Sequence, residues 1–250
     1  MFENLFDNIK KAGIEFIILR GGFTGWGTGT SLNKDPMFET YYNEAKKRNI
    51  PVGCYYYSCA NTYEKGVKEA EFLYEKCLKG KRFEFPIYID VEEDRHQRVG
   101  KTRVTEAIKG FCEYLEIKGY YVGIYANMNY FNNFIDTPKL SKYDKWVAKW
   151  GISKPNFPYG NYGLWQNSDN GKVDGKRVDT NISFYDFPNI IKQKGLNGYG
   201  NIPTQKSNEE IAKEVVKGLW GNNPQRKQNL EKAGYNYNEI QKIVNNMLRK

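Results

Sequence analysis

Apolar positions along this chain follow two spacings that take turns. Phe2, Leu5, Phe6 and Ile9 lie three and four apart, one face of a helix that Gly13 would close with a left-handed cap. Residues 16–19 are a continuous apolar run stopped by Arg20-Gly21-Gly22, the pattern of a short strand covered on both sides. The alternation then repeats. A helix is predicted over 36–49 and a strand over 52–57. A second helix, opened by a capping box of Asn61 with Glu64, runs to about Lys79, and a strand over 86–91 follows. Val104, Ile108, Phe111 and Leu115 share one face of the next helix, which leads to a strand at 121–125. Shorter strands are predicted at 146–149, 162–166 and 177–181.

Seven strands buried on both faces and separated by helices imply parallel βα units, and residues 1–195 suffice for an irregular βα-barrel of the TIM kind, an α/β fold. The alternation starts on a helix, so it lacks a leading strand, and a barrel without one would leave two strand edges unpaired. Residues 196–206 carry Gly, Asn and Pro and read as a linker. Residues 207–250 have another texture, that of three short helices. Ser207 with Glu210 caps the first, whose face would carry Ile211, Val215 and Leu219. Pro224 suits the first turn of the second helix and Gly234 its end. Asn236 with Glu239 opens the third, which carries Ile240, Ile243 and Met247. A bundle of this size is near the lower limit for independent folding.

Composition narrows the partners. The chain has 20 Tyr, 14 Phe and 5 Trp, many of them beside Gly, Asn or acidic residues, a mixture that suits a saccharide cleft as well as an aromatic core. A net charge of +9 favours polyanions such as bacterial cell wall. Nucleic acid is disfavoured, because the basic residues are dispersed and no zinc-finger, homeodomain or RNP pattern occurs. Cys54, Cys59, Cys77 and Cys112 have no CxxC spacing and His96 stands alone, so neither a zinc site nor a Cys-His nucleophile is expected. No apolar stretch is long enough to cross a membrane and no signal peptide is visible, which implies synthesis in the cytoplasm.

The chemistry centres on Ile87-Tyr-Ile-Asp-Val-Glu92. Residues two apart on a strand face the same way, with Cα atoms about 7 Å apart. Asp90 and Glu92 would thus emerge together at the mouth of the barrel, where such folds keep their active sites. Crowded carboxyls titrate apart, and glycoside cleavage needs that division between a proton donor and a charge-bearing partner. An acidic, solvated strand end continuing into Glu93 and Asp94 is the plain alternative. Arg20, Tyr55 to Tyr57, Tyr125, Asn127, Trp146, Trp165, Gln166 and Asp179 all fall at or beside predicted strand ends and should converge on the same mouth. Gly25-Trp-Gly-Thr-Gly29 lacks phosphate-loop and dinucleotide spacing and suits a rim loop. Residues 169–179 resemble a calcium loop only faintly, with Gly171 and Val173 where ligands belong.

At these residues the chain resembles glycoside hydrolase family 25, the lysozyme family of autolysins and phage endolysins. The matching segments are Gly13 to Arg20, Pro51 to Ser58, Phe85 to Glu92, Gly123 to Asn127, Trp146-Val-Ala, Leu164-Trp-Gln166 and Val178 to Asn181, in order. The resemblance implies a muramidase that cleaves the β-1,4 bond between N-acetylmuramic acid and N-acetylglucosamine without a cofactor or metal. It makes Glu92 the general acid and Asp90 the carboxylate that stabilises charge or orients the acetamido group. Asp179 becomes a further active-site acid. Arg20, Tyr57, Tyr125, Asn127, Trp146, Trp165 and Gln166 become candidate substrate-binding residues. Substrate-assisted chitinases, which need further aspartates before this motif, match less well. The family opens with an aspartate-bearing strand that this chain lacks, which implies a start farther upstream or a shortened form.

Residues 207–248 resemble one choline-independent wall-binding repeat of phage lysozymes, carried by Gly218-Leu-Trp-Gly-Asn222 and Ala233-Gly-Tyr-Asn-Tyr237 among others. That likeness makes Arg226 a candidate ligand for a muropeptide carboxylate and leaves Trp220 to the core. It also makes bacterial peptidoglycan the partner and the cell wall the site of action. One repeat binds weakly, so a homo-oligomer formed through the tail would raise avidity. Two rivals remain at this point: a catalytically impaired wall-binding protein and a cytosolic carbohydrate-binding protein.

Overall fold

The computed structural model describes residues 2–25, 30–200 and 206–248. They fall into two compact units, Met1–Gly200 and Asn201–Lys250. Residues 26–29, most of the expected rim loop, lie outside the described residues.

In the first unit, helix α1 (Phe2–Lys11) precedes strand β1 (Ile17–Thr24), and the chain continues through β2 (Leu32–Lys34), α2 (Phe38–Lys47), β3 (Val52–Tyr57) and α3 (Tyr63–Leu73). A π-helical turn at Tyr74–Leu78 ends α3. Next come β4 (Ile87–Asp90), α4 (His96–Val99), α5 (Lys101–Ile117), β5 (Val122–Asn127), α6 (Met128–Asn133) and a 3-10 turn at Thr137–Leu140. Strands β6 (Asp144–Ala148), β7 (Leu164–Val173) and β8 (Lys176–Ser183) precede α7 (Phe187–Gln193). The helix α3 starts one residue later than the spacing suggested. Thr62 accepts the backbone N–H of Lys65, while the Asn61 side chain accepts from the Lys65 amine instead.

The strands form one curled sheet in the order β2-β1-β3-β4-β5-β6-β7-β8, as expected of an irregular barrel. Neighbours from β1 through β7 are parallel. Two departures from the all-parallel expectation stand at its edges. The short β2, unforeseen, pairs antiparallel with Gly22 to Thr24. Strand β8 is antiparallel to β7, because the two residues between them, Asp174 (φ 53°) and Gly175 (φ 70°), make a tight hairpin that leaves no room for a crossover.

The pleat sorts side chains into two apolar layers. One layer, between sheet and helices, holds Val52, Cys54, Tyr56, Ile87, Ile89, Val122, Ile124 and Trp165. Helix α5 covers part of it with Val104, Ile108, Phe111 and Leu115, each fully buried and each contributing about 1.5–3 kcal/mol of transfer free energy. The other layer, inside the curl, holds Phe85, Tyr88, Tyr125, Trp146, Leu164 and Phe187. Tyr88 can fill this interior because Gly123 on the next strand has no side chain. A Cβ there would stand 2.4 Å from the tyrosine ring. The phenol donates to half-buried Asp144 at 2.7 Å, making a polar floor beneath the mouth.

Glu69 of α3 is 2% exposed, taking hydrogen bonds from the hydroxyls of Thr24 and Ser58 and the backbone N–H of Cys59. Burial pushes its carboxyl up to about 7 against those donors. A proton held more tightly in the fold favours folding below the unfolded carboxyl pKa, and that contribution is lost as pH rises toward 7. Glu69→Gln should therefore flatten the fall in melting temperature between pH 5 and 8, gaining up to about 3 kcal/mol relative to the parent at the alkaline end. Parallel melting curves of the two proteins across that range would refute this.

The barrel also runs past the boundary expected at 195. Asn197 is fully buried, accepts the backbone N–H of Tyr121 at 2.7 Å and donates to the Phe85 carbonyl at 2.9 Å. Its backbone carbonyl and N–H pair with Phe83 and Gly119. Leu196 to Gly200 thus seal the N-terminal end of the strands instead of opening a linker.

The second unit holds α8 (Asn208–Val216), α9 (Gln225–Lys232) and α10 (Tyr237–Leu248). The Ser207–Glu210 capping box is complete, and the Asn236 side chain accepts from the N–H groups of Asn238 and Glu239. Ile211, Ala212, Val215, Leu230, Ile240 and Val244 form its core. Leu219, placed on the buried face by its spacing, is 70% exposed, because α8 ends at Val216 and the chain turns at Gly218. Pro224 is the N-cap of α9, one position before its first turn.

Candidate active site

A cavity of about 900 Å³ opens inside the curl. Leu5, Phe6 and Ile9 of α1 line it together with Asp90, Glu92, Tyr125, Trp146, Gln166 and Asp179. Its size is that of a site for a ligand of several hundred daltons. Asp90 ends β4 and Glu92 follows in the loop, so the two carboxyls share one cavity. Asp179 reaches it from β8, whose reversed direction brings the early part of the strand to the mouth. It is therefore a mid-strand residue, not a strand-end one.

The register aligns the wall. Asp90 lies beside Tyr125, and Tyr125 beside Trp146. The two rings meet edge to face at 4.6 Å, and the Trp146 indole donates to Asn181 at 2.8 Å. Tyr55, one pleat below Tyr57, completes the aromatic lining.

All three acids hold protons more tightly than usual. Asp90 is raised furthest, by burial first and by the charge of Glu92 second, with Arg20 opposing. Its Oδ1 is buried without a hydrogen-bond partner among the described residues. Glu92 is raised by the protein crowding one side of it and by the charge of Asp179, while its other side meets solvent. Burial and the charge of Asp169 raise Asp179, and Arg177 opposes them. Burial first, and then the same cluster, raises the Tyr125 phenol well above its usual value.

Five of the residues expected at the mouth do not line this cavity, Tyr56 among them, which is fully buried in the layer between sheet and helices. Trp165 follows the pleat to the opposite face, where it is buried and donates to the Lys149 carbonyl. The Asn127 side chain caps α6 by accepting the Tyr130 N–H. The Tyr57 phenol donates to Glu93, which is itself buried and paired with Arg95, unlike a solvated acidic run. The Arg20 guanidinium pairs with Asp35 at 2.7 Å and lies over the Phe23 ring. Trp150, not foreseen, donates to Gln166 at 3.1 Å from the loop after β6; it falls beyond the strand, so pleat parity gave no sign of it. In the second unit, Arg226 donates to the Gly221 carbonyl at 3.0 Å and approaches Gln241, and Trp220 packs on the bundle core. All four cysteines are free thiols. Among the described residues no cluster of His, Cys, Asp and Glu could hold a metal, and no helix is long and apolar enough to cross a membrane.

Comparison with known proteins agrees with this geometry. The profile of glycosyl hydrolases family 25 matches residues 3–176, and a CW_7 repeat matches residues 209–248. An autolytic lysozyme of Clostridium acetobutylicum is 26% identical over 170 residues, 68% of this chain and 48% of that protein. A lysozyme of Streptococcus phage Cp-7 is 25% identical over 233 residues, 88% of this chain and 63% of the phage protein. This chain thus spans about half and just under two thirds of the lengths of these two relatives. The fold is that of the CTP1L endolysin, with a TM-score of 0.65 at 17% identity, over 98% of this chain and 94% of that one. Matched by the family profile over more than half its length, and carrying paired acids at the mouth of a curled βα sheet, the chain belongs to glycosyl hydrolases family 25.

Proposed function

We propose that this protein is a muramidase that cleaves the β-1,4 bond between N-acetylmuramic acid and N-acetylglucosamine in bacterial peptidoglycan, in the manner of a phage or prophage endolysin. The observation that carries the reading is the meeting of Asp90, Glu92 and Asp179 in one aromatic-walled cavity with their proton affinities raised. Glu92, reachable from solvent and made to hold its proton more tightly than usual by burial and then by the neighbouring Asp179 charge, is the proton donor to the leaving oxygen. Asp90 is buried with one oxygen unpartnered among the described residues, which suits it to orient the substrate's acetamido group or offset charge at the anomeric carbon. Tyr125 and Trp146 offer ring faces to the sugar.

The second unit is a wall-binding module, in line with its CW_7 match. Arg226 has guanidinium N–H groups beyond those used by Gly221 and Gln241, and it remains the candidate ligand for a muropeptide carboxylate. The protein then acts at the cell wall, and pairing of two tails would strengthen its hold there. Product chemistry tests the bond assignment. Purified peptidoglycan digested with this protein and reduced with borohydride should yield muramitol. Glucosaminitol in its place would mean that the other glycosidic bond is cut.

A further inference from the structure

Gln166 was expected to bind sugar, and its hydrogen bonds argue for another task. The side chain is 4% exposed. Its oxygen accepts the Tyr125 phenol and the Trp150 indole N–H, each at 3.1 Å, and its nitrogen donates to Asp179 Oδ2 at 3.2 Å. An indole N–H can only donate, so the amide has one orientation, with oxygen toward Trp150 and nitrogen toward Asp179. Both acceptor positions of the oxygen are filled, which leaves no acceptor for a sugar hydroxyl. The amide instead ties β5, β7, β8 and the loop after β6 together at the point where Asp179 enters the cavity.

We infer that Gln166 is a positioning residue: it fixes the Asp179 carboxylate in the cavity that it shares with Glu92, and it acts on catalysis through Asp179 instead of through the substrate. This rests on the proposed roles of Glu92 and Asp179. The physical link is short. The amide donor stabilises the Asp179 anion. The anion keeps the proton on Glu92, whose affinity is raised by burial and then by Asp179. Without the donor, Asp179 ionises less readily and its charge on Glu92 falls, so Glu92 loses its proton at lower pH.

Gln166→Met keeps the volume of the side chain and removes the donor. On soluble, uncrosslinked glycan strands, the alkaline limb of the kcat profile should move down by about half a pH unit to one unit, with KM within about twofold. Asp179→Asn should move the limb in the same direction, and adding Gln166→Met to it should move it no further. A KM about tenfold higher with an unmoved limb would make Gln166 a sugar ligand. Equal losses of kcat in both backgrounds with an unmoved limb would make it structural support. Either result overturns the inference. If Gln166→Met does not fold, the unsubstituted protein still decides: one side-chain amide proton of Gln166 should shift in 15N-resolved spectra as Asp179 titrates, and a resonance indifferent to pH would sink the idea. Glu92→Gln separates the two layers. Full cleavage by that variant would remove the proposed proton donor and leave the Gln166–Asp179 bond in place, whereas an unmoved limb removes only the inference drawn from Gln166.

Discussion

A Glu92→Gln protein should release new reducing ends from purified peptidoglycan about 10²–10⁴ times more slowly than the parent, the usual contribution of a positioned proton donor. It should sediment with isolated cell walls as the parent does, because the CW_7 repeat proposed to bind the wall occupies residues 209–248 and Glu92 belongs to the other unit. Glutamine has nearly the shape of glutamic acid but no transferable proton, so the loss should fall on kcat and spare KM. Its pH signature is equally specific. The Glu92 affinity is raised in the fold, and activity that needs the protonated form must decline as pH rises through that raised value. The variant's residual rate should show no such decline. Retained cleavage, or a residual rate with the parent's alkaline limb, would show that another group donates the proton.

Asp90→Asn should do two opposite things at once. Activity should fall by about 10²-fold, since an amide can still present an oxygen to the acetamido N–H but carries no negative charge to offset the developing positive charge. Stability should rise at neutral pH. Asp90 is 4% exposed and one oxygen has no partner among the described residues, so its ionised form is penalised by burial. Its raised affinity means that it favours folding most at pH values below the unfolded carboxyl pKa and loses that contribution as pH climbs. Asparagine does not titrate, so the variant's melting temperature should overtake the parent's between pH 4 and 8. The advantage at pH 8 should reach about 1–2 kcal/mol, the scale of leaving a polar group buried without a partner. Scanning calorimetry at several pH values measures it. A variant less stable than the parent at pH 8 would mean that Asp90 is satisfied in the fold, and its assignment as an open acceptor would go.

Much of this architecture could be read from spacing, and the misreadings have particular causes. Continuous apolar runs identified the parallel strands, because strands buried on both faces show no alternation. The period of two along a strand should have excluded Trp165, which cannot share a face with Gln166 beside it. Strand-end position says which end of the barrel a residue occupies but not which local hydrogen bond claims it. Asn127 went to a helix cap, Tyr57 to Glu93 and Arg20 to Asp35, all bonds made across turns or between strands that spacing does not encode. The reversal of β8 did have a visible sign. Asp174-Gly175 is a hairpin dipeptide, and a search for calcium ligands over the same stretch passed it by. The acid pair was legible because one short strand and the two residues just after it deliver both members. Trp150 was not, since loop geometry decides where it points.

The sealing of the barrel by Asn197 bears on where the catalytic unit can be cut free. A fragment ending at residue 195, the end point that composition suggests, would discard the asparagine and strand the Tyr121 N–H and the Phe85 carbonyl in a dry interior. Each orphaned group costs about 1–3 kcal/mol, together a large share of a domain's net stability. Ending five residues later keeps the stopper in place. Excised versions of the first unit should therefore retain Gly200, and a poorly behaved shorter fragment would reflect a missing plug and not a dependence on the helices of the second unit.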